Sequence, residues 1–278
     1  MKVGINLWTI YGWGLPEFIS PEVLRSIGKL GVRGVELVLD EAANSVDQLL
    51  SRRDAVQSVL SECGLEVPSV ASARFWVHNL ASQDPAVRKH GLDHIRDGCQ
   101  VTEAYGARVF LVVAGQGEPR TEYARTYATA VASLREAAGY AADRGVVIGV
   151  ENVGTNLICS PGEYAQFLAD VDHPAVQAYL DFGNGFAVGN GYAENWITAM
   201  RGRIAMVHAK DYDRSAHAYV CCGQGDIPWE DVFASLRAVG YDDYVTVETP
   251  PLGGRAQLPR AVGLAAAENS ARWLTRFV

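Results

Sequence analysis

Four side chains that can bind a metal ion each end an apolar segment in the second half of the chain. Glu151 follows VVIGV, Asp181 follows VQAYL, His208 follows IAMV and Glu248 follows YVTV. Three carboxylates brought to one place repel one another strongly unless a cation neutralises them. Carboxylates with one imidazole suit Mn²⁺, Mg²⁺ or Co²⁺, and Zn²⁺ also accepts such ligands. We therefore predict one divalent metal site with these four residues as its ligands.

Two of the predicted ligands also suggest a reaction. A divalent ion can bind a vicinal hydroxy-carbonyl group, lower the pKa of the neighbouring carbon-bound proton and stabilise the resulting enediolate. One glutamate can then take this proton while a second glutamate returns it. Glu151 and Glu248 are our candidates for this acid–base pair.

Apolar, β-branched segments alternate with helix-like segments along the chain. Helix starts are marked by capping patterns such as Ser20 before Pro21, and Ser45 three residues before Gln48. The predicted strands are 2–10, 34–40, 67–73, 107–115, 146–154, 176–182, 203–209 and 244–248. Strict alternation implies parallel strands with right-handed crossovers, and eight such units predict a closed (β/α)8 TIM barrel, a single α/β domain over residues 1–278. A doubly wound open sheet is the alternative, but its Gly-rich turn after the first strand is missing.

The barrel would bring the predicted ligands together. Active sites of such barrels lie at the C-terminal ends of the strands, and the four ligands end the last four predicted strands. The helix after the sixth strand is the least certain element, because residues 185–200 contain Gly185, Gly189 and Gly191.

Composition excludes some classes of function. The chain has 278 residues, of which 49% are hydrophobic, and a formal net charge of −8. This charge argues against binding to nucleic acid or to an anionic membrane, and no apolar run approaches the roughly 18 residues that span a bilayer. The N-terminal segment lacks the features of a signal peptide. With five cysteines in no zinc-finger spacing, we expect reduced thiols and a cytoplasmic location, and the sequence leaves an oligomer open.

The chain resembles the sugar phosphate isomerase/epimerase superfamily, the xylose-isomerase-like TIM barrels that include ketose 3-epimerases and inosose dehydratases. The segments that carry the resemblance are GVEL at Glu36, GVEN at Glu151, LDFGN at Asp181, VHAKDYDR at 207–214, GQGDIPW at 223–229 and GYDDYVTVE ending at Glu248. It covers nearly the whole chain. The resemblance implies the same four metal ligands and the same pair of proton-transferring glutamates.

Three further positions bear on the narrower activity. Arg214 matches a substrate-binding arginine of ketose 3-epimerases. Asn184 stands where those epimerases carry a substrate-contacting histidine, and Leu157 stands where they carry a second substrate-binding glutamate. These two departures keep open a lyase, either a dehydratase or a C-glycoside-cleaving enzyme, that would use the same enediolate.

Other side chains near the predicted mouth are candidates for substrate contact. Glu36 could hydrogen-bond substrate, orient a metal ligand or form a structural ion pair. Trp13, with Trp8, could form a wall for an apolar sugar face, with core packing as the alternative. Arg74 and His78 follow the third predicted strand and could also reach substrate.

The remaining motifs are weaker. His90 and His94 have the helical spacing of a zinc pair, but we predict a solvated helix face for both because they do not lie at strand ends. Lys210 and Asp211 are candidates for positioning His208 or the substrate. With few basic residues near the mouth, we expect a non-phosphorylated sugar or polyol as the small-molecule substrate.

The sequence therefore predicts a metal-dependent isomerase or epimerase that removes a proton beside a sugar carbonyl, with the lyase as the alternative. A DNA-repair endonuclease on the same barrel would want further metal ligands and a basic groove. A non-catalytic binding subunit would not need an intact set of four ligands.

Overall fold

A computed structural model describes residues 1–13, 15, 17–188, 192–249 and 259–278 of the chain. Gly189 and Gly191, which made the prediction for residues 185–200 uncertain, lie outside the described residues. Within the described part, the model contains no helix with the length and hydropathy needed to cross a membrane.

Eight parallel strands pair into a closed barrel. Each strand pairs with its neighbours along the chain, and the first strand pairs with both the second and the last. The predicted barrel is thus confirmed, and the open-sheet alternative is wrong. The barrel strands are β1 Lys2–Asn6, β2 Gly34–Val38, β3 Ser69–Ala71, β4 Val109–Val112, β5 Val147–Glu151, β6 Val176–Asp181, β7 Ile204–Ala209 and β10 Tyr244–Val247.

Helices connect successive strands on the outside of the barrel. A short 3₁₀ helix, Arg74–Trp76, follows β3. The α-helices of the described residues are α1 Leu7–Tyr11, α2 Pro21–Gly28, α3 Val46–Ser51, α4 Arg53–Cys63, α5 Pro85–Ala104, α6 Tyr123–Asp143, α7 Pro161–Val171, α8 Phe182–Ala187, α9 Ala193–Ala199, α10 Trp229–Ala238 and α11 Arg260–Leu274.

Side-chain caps fix where several helices begin. The Ser20 hydroxyl accepts a hydrogen bond from the Val23 amide, with Pro21 in the first turn of α2. Ser45 and Gln48 form the predicted capping box at the start of α3. Each cap satisfies an amide that would otherwise lack an intrahelical partner, a contribution of about 1 kcal/mol.

The first predicted strand is longer than the observed one. We predicted residues 2–10, but β1 ends at Asn6, whose side chain accepts a hydrogen bond of 2.6 Å from the Trp8 amide and caps α1. The apolar residues after Asn6 are buried on a short helix rather than on a strand. Burial alone does not distinguish these two conformations in so short a segment.

Two further details were not predicted. A hairpin of β8 Asp211–Asp213 and β9 Ala218–Val220 projects from the end of β7. The segment after β6 forms two short helices, α8 and α9, instead of one. Both regions lie at the C-terminal end of the barrel and help to form the site.

The helices pack closely on the barrel. Gly98 of α5 faces Phe110 of β4, and a Cβ atom at Gly98 would lie 2.1 Å from the Phe110 ring. Only glycine allows α5 to approach β4 this closely. Each large apolar side chain buried in this layer contributes roughly 1.5–3 kcal/mol relative to exposure.

Candidate metal centre

The ends of β5, β6, β7 and β10 bring the four predicted ligands together. The Nδ1 atom of His208 lies 3.5 Å from Glu248 Oε2, 3.6 Å from Glu151 Oε1 and 3.8 Å from Asp181 Oδ2. One ligand atom from each of the four lies within 4.8 Å of all the others, and all four residues are buried. Asp181 and His208 are register partners on adjacent strands, which explains their proximity.

A buried carboxylate orients the His208 ring. Nε2 of His208 lies 2.6 Å from Glu36 Oε2, whereas Nδ1 is buried without a hydrogen-bond partner. Because a carboxylate can only accept, Glu36 holds a proton on Nε2 and leaves Nδ1 to face the cluster. Metal-bound histidines usually have such a carboxylate partner on their other nitrogen. The orphaned Nδ1 atom and the carboxylates around it therefore fit a divalent cation.

Glu36 is held by a network inside the barrel. Its carboxylate accepts hydrogen bonds from the Ser69 hydroxyl at 2.7 Å and the Tyr179 hydroxyl at 2.6 Å, and also from the Asn6 amide. Burial opposes ionisation of Glu36, yet the charge of His208 and these hydrogen bonds together hold its pKa below its ordinary value. The structure thus places Glu36 behind His208 and not among the residues that line the cavity.

Ionisation of the clustered carboxyl groups is unfavourable. Burial first, and then the charges of Glu151 and Glu248, raise the pKa of Asp181 to about 7, although Lys210 opposes this shift. Burial also raises the pKa of Glu248. For His208, burial lowers the pKa, but the charges of Glu36 and Glu248 outweigh it and raise the pKa well above its ordinary value. A divalent cation would relieve the repulsion that these shifts record.

The Asp181 backbone and side chain are fixed by amides. Asn152 Oδ1 accepts from the Asp181 amide at 2.7 Å, and Asn152 Nδ2 donates to the Asp181 carbonyl at 2.8 Å. The Asp181 Oδ1 atom accepts from the Asn184 amide at 2.6 Å and so caps α8. These bonds leave Asp181 Oδ2 directed at the cluster.

Lys210 also belongs to the centre. Its buried ammonium lies 3.0 Å from Asp181 Oδ2 and donates a hydrogen bond to Glu248 Oε2. Burial lowers the pKa of Lys210, but Asp181 and Glu248 outweigh this and raise that pKa well above its ordinary value. We had considered Lys210 only as a positioning residue. Its spacing of two from His208 was the available signal, because alternate residues of an extended segment share a face.

A cavity of about 640 Å³ opens above the cluster. Glu151, Glu248, Lys210 and Asn184 form its polar part, and aromatic rings form much of its wall. Among the described lining residues, one carries a cation, and that cation, Lys210, is already paired. The cavity is lined by Trp8, Trp13, Ser72, Ala73, Trp76, Leu111, Val113, Glu151, Val153, Asn184, Lys210, Tyr219 and Glu248.

Two of the predicted substrate-binding residues line this cavity. The Trp13 and Trp8 rings lie with centroids 5.6 Å apart at its edge. Asn184 Nδ2 donates to Glu151 Oε1 at 3.2 Å, and Asn184 Oδ1 accepts from the Tyr219 hydroxyl at 3.0 Å. Tyr219 was missed because it lies on the unpredicted hairpin strand β9.

Other predicted substrate-binding residues do not line the cavity. The Arg214 guanidinium is exposed and lies 3.8 Å from the centroid of the Phe186 ring. His78 Nε2 contacts Glu41 Oε1 at 2.6 Å, and Arg74 binds the same carboxylate. Leu157 is fully buried in the hydrophobic core.

The prediction of a solvated face for His90 and His94 was wrong for His94. His90 is exposed, but His94 is buried and its Nε2 atom lies 2.7 Å from the Ser72 hydroxyl. Burial lowers the pKa of His94 to about 4. The helix face that carries His94 turns toward the barrel wall, which the spacing of two histidines cannot show.

Asp211 organises the loop after β9. Its carboxylate accepts hydrogen bonds from the Gly223 amide at 2.8 Å, the Ile227 amide at 3.1 Å and the Trp229 indole at 2.9 Å. These bonds tie the GQGDIPW segment to the start of β8. The Gly223 amide therefore already donates its hydrogen bond to Asp211.

Comparisons with known proteins identify relatives of this chain. L-ribulose-5-phosphate 3-epimerase UlaE of Salmonella paratyphi C (strain RKS4594) is 28% identical over 223 residues, which cover 79% of this chain and 78% of the relative. The structure of D-psicose 3-epimerase from Clostridium cellulolyticum H10 aligns with a TM-score of 0.82 at 18% identity, over 100% of this chain and 99% of its own. The structure of an L-ribulose 3-epimerase aligns with a TM-score of 0.80 at 19% identity, over 99% of this chain and 93% of its own.

At these identities the two structures share the fold with this chain. The family profile described as xylose isomerase-like TIM barrel matches residues 24–277, almost the whole chain. The resemblance predicted from the GVEN, LDFGN and VHAKDYDR segments is confirmed by this match. The chain belongs to the xylose isomerase-like TIM barrel family.

Proposed function

We propose that this protein is a divalent-metal-dependent isomerase or epimerase that acts on the carbon beside the carbonyl group of a sugar or polyol-derived ketone. The observation that carries the proposal is the pair Glu151 and Glu248. Both line the cavity, and both place a carboxylate oxygen about equally far from His208 Nδ1, at 3.6 Å and 3.5 Å. They come from β5 and from the end of β10, so they approach one substrate position from different strands.

Glu151, Asp181, His208 and Glu248 would hold the ion, which we take to be Mn²⁺, with Mg²⁺ or Co²⁺ as substitutes and Zn²⁺ as a further candidate. When bound, the ion would polarise the substrate carbonyl and hydroxyl oxygens. The epimerase activities named for one sequence relative and two structural relatives support the proposed epimerase reaction.

The chain's own residues then divide the work. Glu151 or Glu248 takes the proton from carbon, and the other carboxyl group returns a proton to the carbon. Asn184 holds Glu151 through its Nδ2 atom, and Lys210 holds Glu248 through its ammonium. General acid–base catalysis of this kind contributes about 10²–10⁴-fold to a rate.

Substrate contact is assigned first to residues on the cavity wall. Trp8 and Trp13 offer ring faces to the C–H groups of a sugar. Asn184 offers polar atoms at the same level as Glu151. Arg214 and His78 would have to leave their present partners, Phe186 and Glu41, to reach the substrate.

We propose a substrate without a phosphate group. A phosphate needs free cations, and among the described lining residues the one cation, Lys210, already contacts Asp181 and Glu248. This separates the proposal from the phosphorylated sugar in the name of the UlaE relative. A nuclease on this barrel would want further metal ligands. It is disfavoured because the described residues contain one group of side chains that could hold a metal ion.

The test is a screen of ketoses, inososes and 3-oxo-glycosides with Mn²⁺ in deuterated water, followed by NMR and mass spectrometry. We expect a product of unchanged composition, apart from deuterium at the reacting carbon. A product lighter by one water, or a released aglycone, would assign the lyase activity instead. Turnover without deuterium incorporation would refute proton transfer through solvent-exchanging carboxyl groups.

A further inference from the structure

Lys210 contacts the same carboxylate oxygens that face the metal-binding nitrogen. Its Nζ atom lies 3.0 Å from Asp181 Oδ2 and hydrogen-bonds Glu248 Oε2. These are the two oxygens that lie 3.8 Å and 3.5 Å from His208 Nδ1. An ammonium group and a divalent ion at this position therefore draw on the same two oxygens.

The fold makes room for this lysine. A Cβ atom on Gly183 would lie 2.3 Å from Lys210 Cγ and 2.8 Å from the Lys210 carbonyl oxygen. Any larger residue at position 183 would push the lysine stem away from the cluster. The Tyr219 ring, with its centroid 5.4 Å from Nζ, closes another side. Gly183 and Tyr219 thus confine the Lys210 side chain, and 3% of the residue's surface is exposed.

The charges of the centre explain what such a lysine can do. Glu151, Asp181 and Glu248 carry up to three negative charges, and a buried cluster of this kind is strongly destabilising without cations. One ammonium neutralises part of this charge. The same ammonium repels a divalent ion at the neighbouring position.

We propose that Lys210 is an internal competitor of the divalent ion, stabilising the ion-free fold and weakening the affinity of the centre for the ion. The competition rests on the metal centre of the proposed function. When the ion leaves, the Lys210 ammonium pairs again with the two carboxylates. The competition therefore makes the ion exchangeable.

The test measures Mn²⁺ affinity and thermal stability, neither of which needs a substrate. We expect Lys210→Met to bind Mn²⁺ at least about tenfold more tightly than the wild type, since a cation close to the ion is removed. We also expect the Tm of Lys210→Met to fall by several degrees when a chelator removes the ion, and to recover when saturating Mn²⁺ is added. Lys29→Met is the matched control: Lys29 is exposed on α2's C-terminal cap, and its loss changes the net charge equally.

The opposite results would overturn the proposal. Weaker or unchanged Mn²⁺ binding by Lys210→Met would mean that Lys210 only positions the ligands, and so would an unchanged Tm after chelation. If the variant needs Mn²⁺ during purification and unfolds on chelation, the stabilising role is supported. If it does not fold even with Mn²⁺, the competition is refuted, because the ion should replace the lost charge. A wild type that binds no Mn²⁺ would instead refute the metal centre of the proposed function.

Discussion

On one side of the barrel mouth, the ends of β5, β6, β7 and β10 hold three carboxyl groups and an imidazole with ligand atoms within 4.8 Å of one another, and the Lys210 ammonium pairs with two of the carboxylates. On the other side, the cavity wall consists largely of Trp8, Trp13 and Trp76 with aliphatic residues of β4 and the segment after it. The first side is electrostatically strained and can exchange protons and bind a cation. The described lining residues of the second side include no titratable group, so this side offers only binding surface.

Under the proposed function, this difference separates proton transfer from substrate recognition within one cavity. Loss of a group on the charged side should alter the rate or the metal affinity. Loss of a ring on the aromatic side should alter substrate affinity alone. Four measurements probe the two sides and the residues packed behind them, in order of decreasing expected effect.

The largest effect is expected at the acid–base pair. Glu151→Gln and Glu248→Gln should each lower kcat by about 10³-fold, because an amide cannot exchange the proton. Steady-state kinetics with metal content measured in parallel checks this. Glu163→Gln, an exposed residue at the start of α7, should keep wild-type kinetics. A Glu151 variant with full metal content and full kcat would remove the basis of the proposed function.

The next effect concerns the stability of the fold behind the cavity wall, where His94 contacts Ser72, and it depends on pH. Burial lowers the pKa of His94 from 6.5 to about 4, so the unfolded chain binds more protons between these values. Stability should therefore be lost as pH falls from about 6.5 to 4, by roughly 3 kcal/mol in total. Denaturant titrations from pH 7 to pH 4 measure it.

A matched pair isolates this contribution. His94→Gln should flatten the loss of stability in acid, whereas His90→Gln, on the exposed face of the same helix, should leave it unchanged. Equal acid sensitivity in the His94 variant and in the wild type would contradict the assignment.

The third effect is expected behind the metal centre. Glu36→Gln should weaken Mn²⁺ binding by about 10–100-fold, because an amide orients the His208 ring less firmly than a carboxylate. Isothermal titration of Mn²⁺ measures this affinity. Ser69→Ala, which removes one hydrogen bond to Glu36 at 2.7 Å, should have a smaller effect in the same direction. Unchanged affinity in Glu36→Gln would show that packing alone holds the ring.

The smallest effect is expected at the rim of the cavity. Trp13→Ala should raise KM by about tenfold with kcat nearly unchanged, since the ring contributes only binding surface, worth about 1–1.5 kcal/mol. Trp13→Phe should recover much of the affinity. A drop in kcat with unchanged KM would break the division between the two sides.

Local sequence patterns were sufficient for the barrel and for the clustering of the four predicted ligands. Strands in this fold are parallel and run in the same direction, so the polar residue that ends each apolar segment necessarily reaches the same rim. This reasoning places Glu151, Asp181, His208 and Glu248 together without any knowledge of distances. The alternation of strands and helices is likewise a local pattern, and it predicts the fold.

The partners of these side chains could not be predicted in the same way. Glu36 was assigned three alternative roles, and only the closed barrel brings it from β2 to His208 on β7. Arg214 matched a substrate-binding arginine in sequence, yet its guanidinium stacks on Phe186. A solvated helix face was predicted for His94 because it does not lie at a strand end, but the packing of α5 on the barrel buries it.

Apolar periodicity and chain direction are local properties, and they were enough to place Glu151, Asp181, His208 and Glu248 near the C-terminal ends of their strands. Which atoms of those residues meet depends on the tertiary structure. The closed barrel turns Nδ1 rather than Nε2 of His208 toward the carboxylates, and it brings Lys210 to two of their oxygens. The physical reason is that hydrogen bonds and ion pairs depend on distances between residues far apart in the chain, which are fixed only when the barrel closes.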